Sequence, residues 1–106
     1  IRLFNSEKEL LKLLGSSNIM QVSIHSQPYC LVKSGNAYYL INPTCPHSNY
    51  PMSDAKTNAQ GEVVCMWHSY RFDLRTGKEK FGRCNRLGTY PLVETPDGAF
   101  AVSLTI

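Results

Sequence analysis

Two Cys–His pairs in the middle of the chain are the residues whose types and spacing could do chemistry. Cys45 and His47 stand two positions apart, and Cys65 and His68 stand three positions apart. Thiolates and neutral imidazoles are common protein ligands of zinc and iron. Two short segments that each offer one thiolate and one imidazole therefore predict a metal centre. The alternative is that the thiols are ordinary buried side chains and the imidazoles ordinary surface ones.

The mixed composition of each pair bears on the type of metal centre. Structural zinc accepts two thiolates and two imidazoles, but its usual pattern groups Cys with Cys and His with His. A [2Fe-2S] cluster has two irons, so two loops that each give a Cys to one iron and a His to the other explain the repeated mixed pair. We therefore expect a [2Fe-2S] cluster. A zinc-stabilised interaction module is the alternative from another functional class.

The boxes C-x-H and C-x-x-H, and the segment 70–77 after the second box, resemble the soluble bacterial Rieske-type [2Fe-2S] ferredoxins that serve oxygenases. The resemblance extends over essentially the whole chain. It implies that Cys45 and Cys65 hold the inner iron of the cluster. It also implies that His47 and His68 hold the outer iron near the surface.

The same resemblance implies an all-β fold with one short N-terminal helix, built as three small antiparallel sheets. One Rieske domain would cover residues 1–106, with a cluster-binding subdomain at about residues 42–87. A length of 106 residues with 42% apolar content fits one domain with a real core. The composition excludes a disordered tail and a charged coiled coil.

By resemblance, the chain is expected to be a soluble one-electron carrier. A flavin-dependent reductase would be the donor and a ring-hydroxylating oxygenase or related oxidoreductase the acceptor, with the imidazole edge of His47 or His68 as the exit. No general acid–base pair is evident, so we do not expect the chain to be an enzyme by itself. The alternative within the family is a Rieske domain or subunit of a larger oxygenase or nitrite reductase, which Trp67 in the second box favours.

Several positions depart from the family pattern. Asn49 and Ser69 stand where family loops commonly carry Gly, so a positive φ there would need a backbone that these residues tolerate. The segment 82–85 replaces a proline-containing loop that covers the cluster. Tyr50 and Trp67 occupy the places of the disulfide-forming Cys of respiratory members, so no covalent bond is expected between the loops.

Two further departures concern the reduction potential. High-potential members carry a Ser two residues and a Tyr four residues after the second His, and the hydroxyls of both donate to cluster or Cys sulfur. Tyr70 and Phe72 stand there in this chain. Such donors stabilise the more negative reduced cluster, so we expect a potential near the low end of the Rieske range of roughly −150 to +300 mV.

The elements that must position the two boxes are short. Ser6 and Glu9 form a capping box ahead of Leu residues at helical spacing, and Gly15 is a C-cap, so a helix is expected between them. Alternating apolar residues over 20–25 predict a strand. Two hairpins are expected, with turns at 34–36 and 96–98 and strands over 29–33, 37–41, 89–94 and 99–104. The irregular stretch 42–61 is long enough to be a functional loop.

Charge and hydropathy exclude two partner classes. The net charge of +3 is small for a nucleic-acid surface, and no apolar run is long enough to cross a bilayer. We expect a cytoplasmic monomer without a nucleic-acid or membrane partner. Cys30 and Cys84 are expected to be free thiols rather than a disulfide. Seven basic residues between Lys56 and Arg86 form either a docking face for an acidic partner or a solvated surface.

Overall fold

Short antiparallel strands dominate the architecture. A computed structural model describes residues 1–103 of the chain. The elements in chain order are β1 (Arg2–Phe4), α1 (Glu7–Leu14), β2 (Ile19–Ile24), β3 (Gln27–Ser34), β4 (Ala37–Ile41), a 3₁₀ helix (Met52–Asp54), β5 (Lys56–Thr57), β6 (Glu62–Val64), β7 (Arg71–Asp73), β8 (Thr89–Pro91), β9 (Val93–Glu94) and β10 (Phe100–Ala101). They form three sheets, in the orders β1-β10-β9, β2-β3-β4-β8 and β5-β6-β7. This confirms the predicted fold class.

The N-terminal helix begins and ends where its capping residues predict. The Ser6 hydroxyl accepts a hydrogen bond of 3.2 Å from the Glu9 amide. Gly15 has a φ of +62°, which favours glycine, and its amide closes the last turn on the Leu11 carbonyl. Neither this helix nor any other among the described residues has the length and apolar character that a membrane crossing requires.

The four-stranded sheet separates two hydrophobic cores. Along β3, Cys30, Leu31 and Val32 are all fully buried, so both faces of this strand are covered. One core, which we call the loop-side core, comprises Cys30, Val32, Ile41, Cys45, Met52, Ala55, Val63, Cys65, Phe72, Leu74 and Leu87. The other, the helix-side core, comprises Leu10, Leu14, Leu31, Tyr38, Leu40, Phe100 and Val102.

The predicted strand over 89–94 is wrong as a single element. β8 pairs with β4, whereas β9 pairs with β10 in a different sheet. Between them, the Leu92 amide donates to the Tyr38 carbonyl at 2.9 Å. The chain crosses between sheets at Leu92, and local alternation cannot show this because pairing partners are distant in sequence. The end of the predicted strand over 99–104 lies outside the described residues.

The resemblance implies a third sheet, but no local pattern in the sequence predicts its strands β5 and β7. β5 is two residues long and pairs with β6, and the stretch 42–61 also contains the 3₁₀ helix. These pieces are too short for a periodicity to appear in the sequence. These elements and β7 flank the two segments that carry the Cys–His pairs. Each segment is therefore joined at both ends to a helix or a strand.

Candidate metal centre

The two Cys–His loops are closed in the same way. In the first loop the Cys45 amide donates to the Tyr50 carbonyl at 2.9 Å. In the second, the Cys65 amide donates to the Tyr70 carbonyl at 2.8 Å. Each Cys therefore anchors a loop to the residue five positions later, and the His lies within the turn. This repeated backbone geometry presents one thiol and one imidazole from each side.

Left-handed backbone conformations occur where the family pattern has glycine. Asn49 has a φ of +57° and Ser69 a φ of +54°, and His68 itself has a φ of +65°. Asn adopts this region more readily than Ser or His because its short side chain hydrogen-bonds locally. The second loop therefore holds two consecutive residues in a conformation that must be maintained by its surroundings.

The structure places the thiols inside and the imidazoles outside. Cys45 and Cys65 are fully buried in the loop-side core. The rings of His47 and His68 have centroids 5.5 Å apart. His68 is exposed and His47 is partly buried. The structure thus brings the two imidazoles together and the two thiols together.

Burial raises the pKa of the Cys65 thiol above its usual value of 9.0, and the adjacent Cys45 thiol raises it further. The backbone amide of Trp67 and the hydroxyl of Ser48 act in the opposite direction. An apolar core that holds two neighbouring thiols disfavours the charged thiolate form of either one. A bound cation resolves this conflict, since a coordinating thiol is deprotonated outright.

Two buried polar atoms give an independent test of whether a metal group fits. Nδ1 of His47 and Oγ of Ser48 are buried and have no hydrogen-bond partner within residues 1–103. A buried unpaired polar atom costs about 1–3 kcal/mol. Metal coordination by Nδ1 removes that cost for His47. The donor set and this unpaired nitrogen therefore fit a metal centre between the loops.

The two candidate metal groups need different ligand arrangements. Tetrahedral zinc needs four ligands about one point, whereas a two-iron cluster of the expected type takes thiolates on one iron and imidazoles on the other. Among the described residues, no three His, Cys, Asp or Glu side chains are arranged to hold a single metal ion.

Aromatic contacts tie the two loops together. Tyr50 and Trp67 are stacked with ring centroids 6.0 Å apart and an interplanar angle of 13°. These are the positions of the Cys that respiratory members use, and all four Cys of this chain are free thiols. An aromatic pair contributes about 0.5–1.5 kcal/mol beyond its buried area. A stacked pair therefore stands in place of the covalent link.

One charged pair beside the site was not predicted from the sequence. The side chain of Glu79 is fully buried and forms an ion pair of 2.7 Å with Arg83. Arg83 is one of the seven basic residues between Lys56 and Arg86, and the structure pairs its guanidinium with a carboxylate. The i,i+4 spacing of opposite charges was the available signal. It gave no sign that the carboxylate would be buried.

The chain matches a known domain family and its members in sequence. The Rieske [2Fe-2S] domain model matches residues 7–91. The 3-phenylpropionate/cinnamic acid dioxygenase ferredoxin subunit of Shigella flexneri serotype 5b (strain 8401) is 35% identical over 63 residues, covering 58% of this chain and 59% of that relative. The match therefore spans less than two thirds of the relative's length.

Solved structures share the whole fold. The ferredoxin of carbazole 1,9a-dioxygenase from Nocardioides aromaticivorans IC177 has a TM-score of 0.73 at 21% identity, covering 99% of this chain and 97% of that chain. The terminal oxygenase of carbazole 1,9a-dioxygenase from Nocardioides aromaticivorans IC177 has a TM-score of 0.70 at 17% identity. The match covers 29% of the oxygenase chain and 99% of this chain. At these identities the likeness establishes the architecture of three small sheets.

Proposed function

We propose, from the premise that this chain belongs to the Rieske [2Fe-2S] domain family, that it is a one-electron carrier. Cys45 and Cys65 would hold the inner iron, and His47 and His68 the outer iron. When bound, the cluster supplies reversible one-electron redox chemistry. The unpaired buried Nδ1 of His47, set opposite His68 above two buried thiols, is the observation that carries the proposal.

The residues around the ligands divide the site into a dry interior and an exposed edge. The loop-side core excludes water from the two thiols. On the other side, His68 is exposed and Trp67 beside it is 50% exposed. We propose that His68 is the edge through which electrons pass, because it offers a partner direct access. The segment 42–87 that carries both loops would act as the cluster-binding subdomain.

Partners and location follow from the same premise. The name of the Shigella relative assigns it to a dioxygenase as a ferredoxin subunit. We propose by analogy that this chain receives electrons from a flavin-dependent reductase and passes them to an oxygenase or related oxidoreductase. The chain would itself hold no catalytic residue. Four free thiols fit a reducing compartment, which supports a cytoplasmic location.

The second candidate is a Rieske domain of a larger oxygenase, and the likeness to part of a terminal oxygenase chain favours it. An oxygenase requires a further catalytic domain that holds mononuclear iron. Iron analysis of the complete natural gene product separates the two functions. Two irons per polypeptide support the carrier, and a third iron outside the cluster supports the oxygenase.

Metal analysis and one matched pair of variants test the ligand assignment. Protein purified anaerobically should contain two irons and two sulfides per chain and give an EPR signal after dithionite reduction. His68→Ala should abolish the visible spectrum. His25→Ala is the control, because His25 is exposed and also has a positive φ, of +51° against +65° at His68. Stoichiometric zinc in place of iron, or an unchanged spectrum in His68→Ala, would overturn the proposal.

A further inference from the structure

A cation and two aromatic rings are stacked on one side of the site. The Tyr70 ring lies on the His47 ring with centroids 3.8 Å apart and an interplanar angle of 13°. The guanidinium carbon of Arg83 also lies over the Tyr70 ring, 3.8 Å from its centroid. His47 is thus covered by a flat, parallel layer that itself carries a cation. The contacts of the His68 ring with His47 and Trp67 are tilted, at 54° and 45°.

Glu79 fixes the outer member of this stack. Arg83 donates through Nε to Oε1 at 3.1 Å and through Nη2 to Oε2 at 2.7 Å. The backbone amides of Arg83 and Phe81 also donate to Oε1, at 2.8 and 3.2 Å. Glu79 is the buried charged residue of the described chain, with its side chain fully enclosed. Such a fork allows the guanidinium a single orientation.

The same contacts keep the carboxylate ionised at neutral pH. Hydrogen bonds from Arg83 lower the pKa of Glu79 from 4.5 to about 2, against the opposing effect of burial. Because both partners are charged, the pair as a whole is neutral. Its electrostatic effect on the site is therefore small, and its geometric effect on Tyr70 is the larger one.

We propose that Glu79, Arg83 and Tyr70 are positioning residues that hold the plane of the His47 imidazole and shield its outer face. The inference rests on the proposed function, in which His47 is an iron ligand. A buried carboxylate orients the guanidinium, the guanidinium holds the Tyr70 ring, and that ring covers the imidazole. Outer contacts of this kind orient metal ligands and control solvent access, and through both they affect the reduction potential.

Three substitutions, each at a different member of the stack or its anchor, test this role. Arg83→Lys retains the cation and loses the flat fork, and Tyr70→Leu retains an apolar side chain and loses the ring. Glu79→Gln should reproduce Arg83→Lys, since the guanidinium then loses its charged anchor. All three should change the EPR g-anisotropy of the reduced cluster. They should also raise its midpoint potential, because water admitted to the site stabilises the more negative reduced state.

Two variants serve as controls. Tyr70→Phe keeps the stack and loses only the hydroxyl, so its spectrum and potential should match the wild type. Arg75→Lys makes the same change at a guanidinium that is 78% exposed and pairs with Asp73 at 3.6 Å, and it should also leave both readouts unchanged.

The outcomes separate this inference from the proposed function. The positioning role alone is overturned if the wild type binds iron and the Arg83→Lys and Tyr70→Leu variants have the same EPR spectrum and midpoint potential as the wild type. A Tyr70→Phe variant that shifts as far as Tyr70→Leu would also overturn it, because the hydroxyl would then be responsible. A wild-type chain that binds no iron would overturn the proposed function instead. Arg83→Lys is the mildest change, so it decides the question where Glu79→Gln fails to fold.

Discussion

Ser48 follows a proposed ligand directly and has a buried hydroxyl with no partner among the described residues. Ser48 lies near enough to Cys65 to lower the pKa of that thiol, although its hydroxyl makes no hydrogen bond to the sulfur. A hydroxyl that donates to a cluster or Cys sulfur stabilises the more negative reduced state. Ser48 can therefore supply a donor that neither Phe72 nor the family's usual positions provide in this chain.

Ser48→Ala should lower the midpoint potential. One hydrogen bond contributes about 0.5–1.5 kcal/mol, which for a one-electron couple corresponds to a fall of roughly 20–60 mV. Voltammetry at neutral pH measures it. Ser23→Ala is the control, since Ser23 is exposed on β2 and remote in sequence from the loops. Equal potentials in Ser48→Ala and wild type would show that this hydroxyl does not reach a sulfur.

The absolute potential remains a prediction. Phe72 is fully buried in the loop-side core and brings no hydroxyl. Tyr70 is held against His47 by stacking, so its ring has a structural role at a position where other members use a small donor. We expect a value in the lower part of the range of roughly −150 to +300 mV. A measured potential above about +100 mV would require donors beyond Ser48.

At the scale of elements, a glycine contact joins the turn after β7 to the end of the loop-side core. Gly77 has a φ of +79°, and a Cβ at this position would clash with the Leu87 carbonyl oxygen. The Leu87 amide in turn donates to the Gly77 carbonyl at 2.9 Å. This close approach of two backbones returns the segment carrying Glu79 and Arg83 to the body of the molecule.

Gly77→Ala should lower the free energy of unfolding by about 3 kcal/mol or more, from backbone strain plus the steric clash. Gly35→Ala is the matched control, because Gly35 also has a positive φ, of +60°, with no atom within 4 Å of the added Cβ. It should cost only about 1–2 kcal/mol. Chemical denaturation of the iron-loaded proteins gives both values. Equal losses of unfolding free energy in the two variants would show that the clash with Leu87 does not contribute.

Elements with local signals were predictable, and elements defined by distant pairing were not. The helix followed from Ser6 and Gly15, and the spacing of Cys and His located the two loops in which the metal centre is proposed. The division of 89–94 between β8 and β9 depends on which strands lie beside each half. Likewise, the spacing of Glu79 and Arg83 was visible, but enclosure of the carboxylate arises only when β7 and the following turn pack together.

Acid stability is a property of the whole molecule to which Glu79 contributes. Its pKa is about 2 in the folded chain, against an ordinary value of 4.5. A lowered folded pKa means that the stabilisation is complete above about pH 4.5 and is lost as the pH falls from 4.5 towards 2. The Arg83 contacts are the largest cause of the lowered pKa.

Glu79→Gln should therefore be less stable than wild type at pH 6, and this difference should shrink as the pH approaches 3. Urea midpoints at a series of pH values measure it. Asp97→Asn provides a comparison in the turn between β9 and β10, because Thr95 and Arg2 lower the pKa of the exposed Asp97 to about 2. A Glu79→Gln difference that stays constant with pH would contradict the assigned ion pair.

The strand β3 is buried on both faces and belongs to both cores, with Leu31 on one side and Cys30 and Val32 on the other. We expect slow amide hydrogen exchange in this strand, because no local opening exposes it while either core remains intact. The loops that carry the two Cys–His pairs border the loop-side core, so we expect them to open while the helix-side core stays closed. Loss and reinsertion of iron would then be a sub-global event, and the molecule would survive it without unfolding.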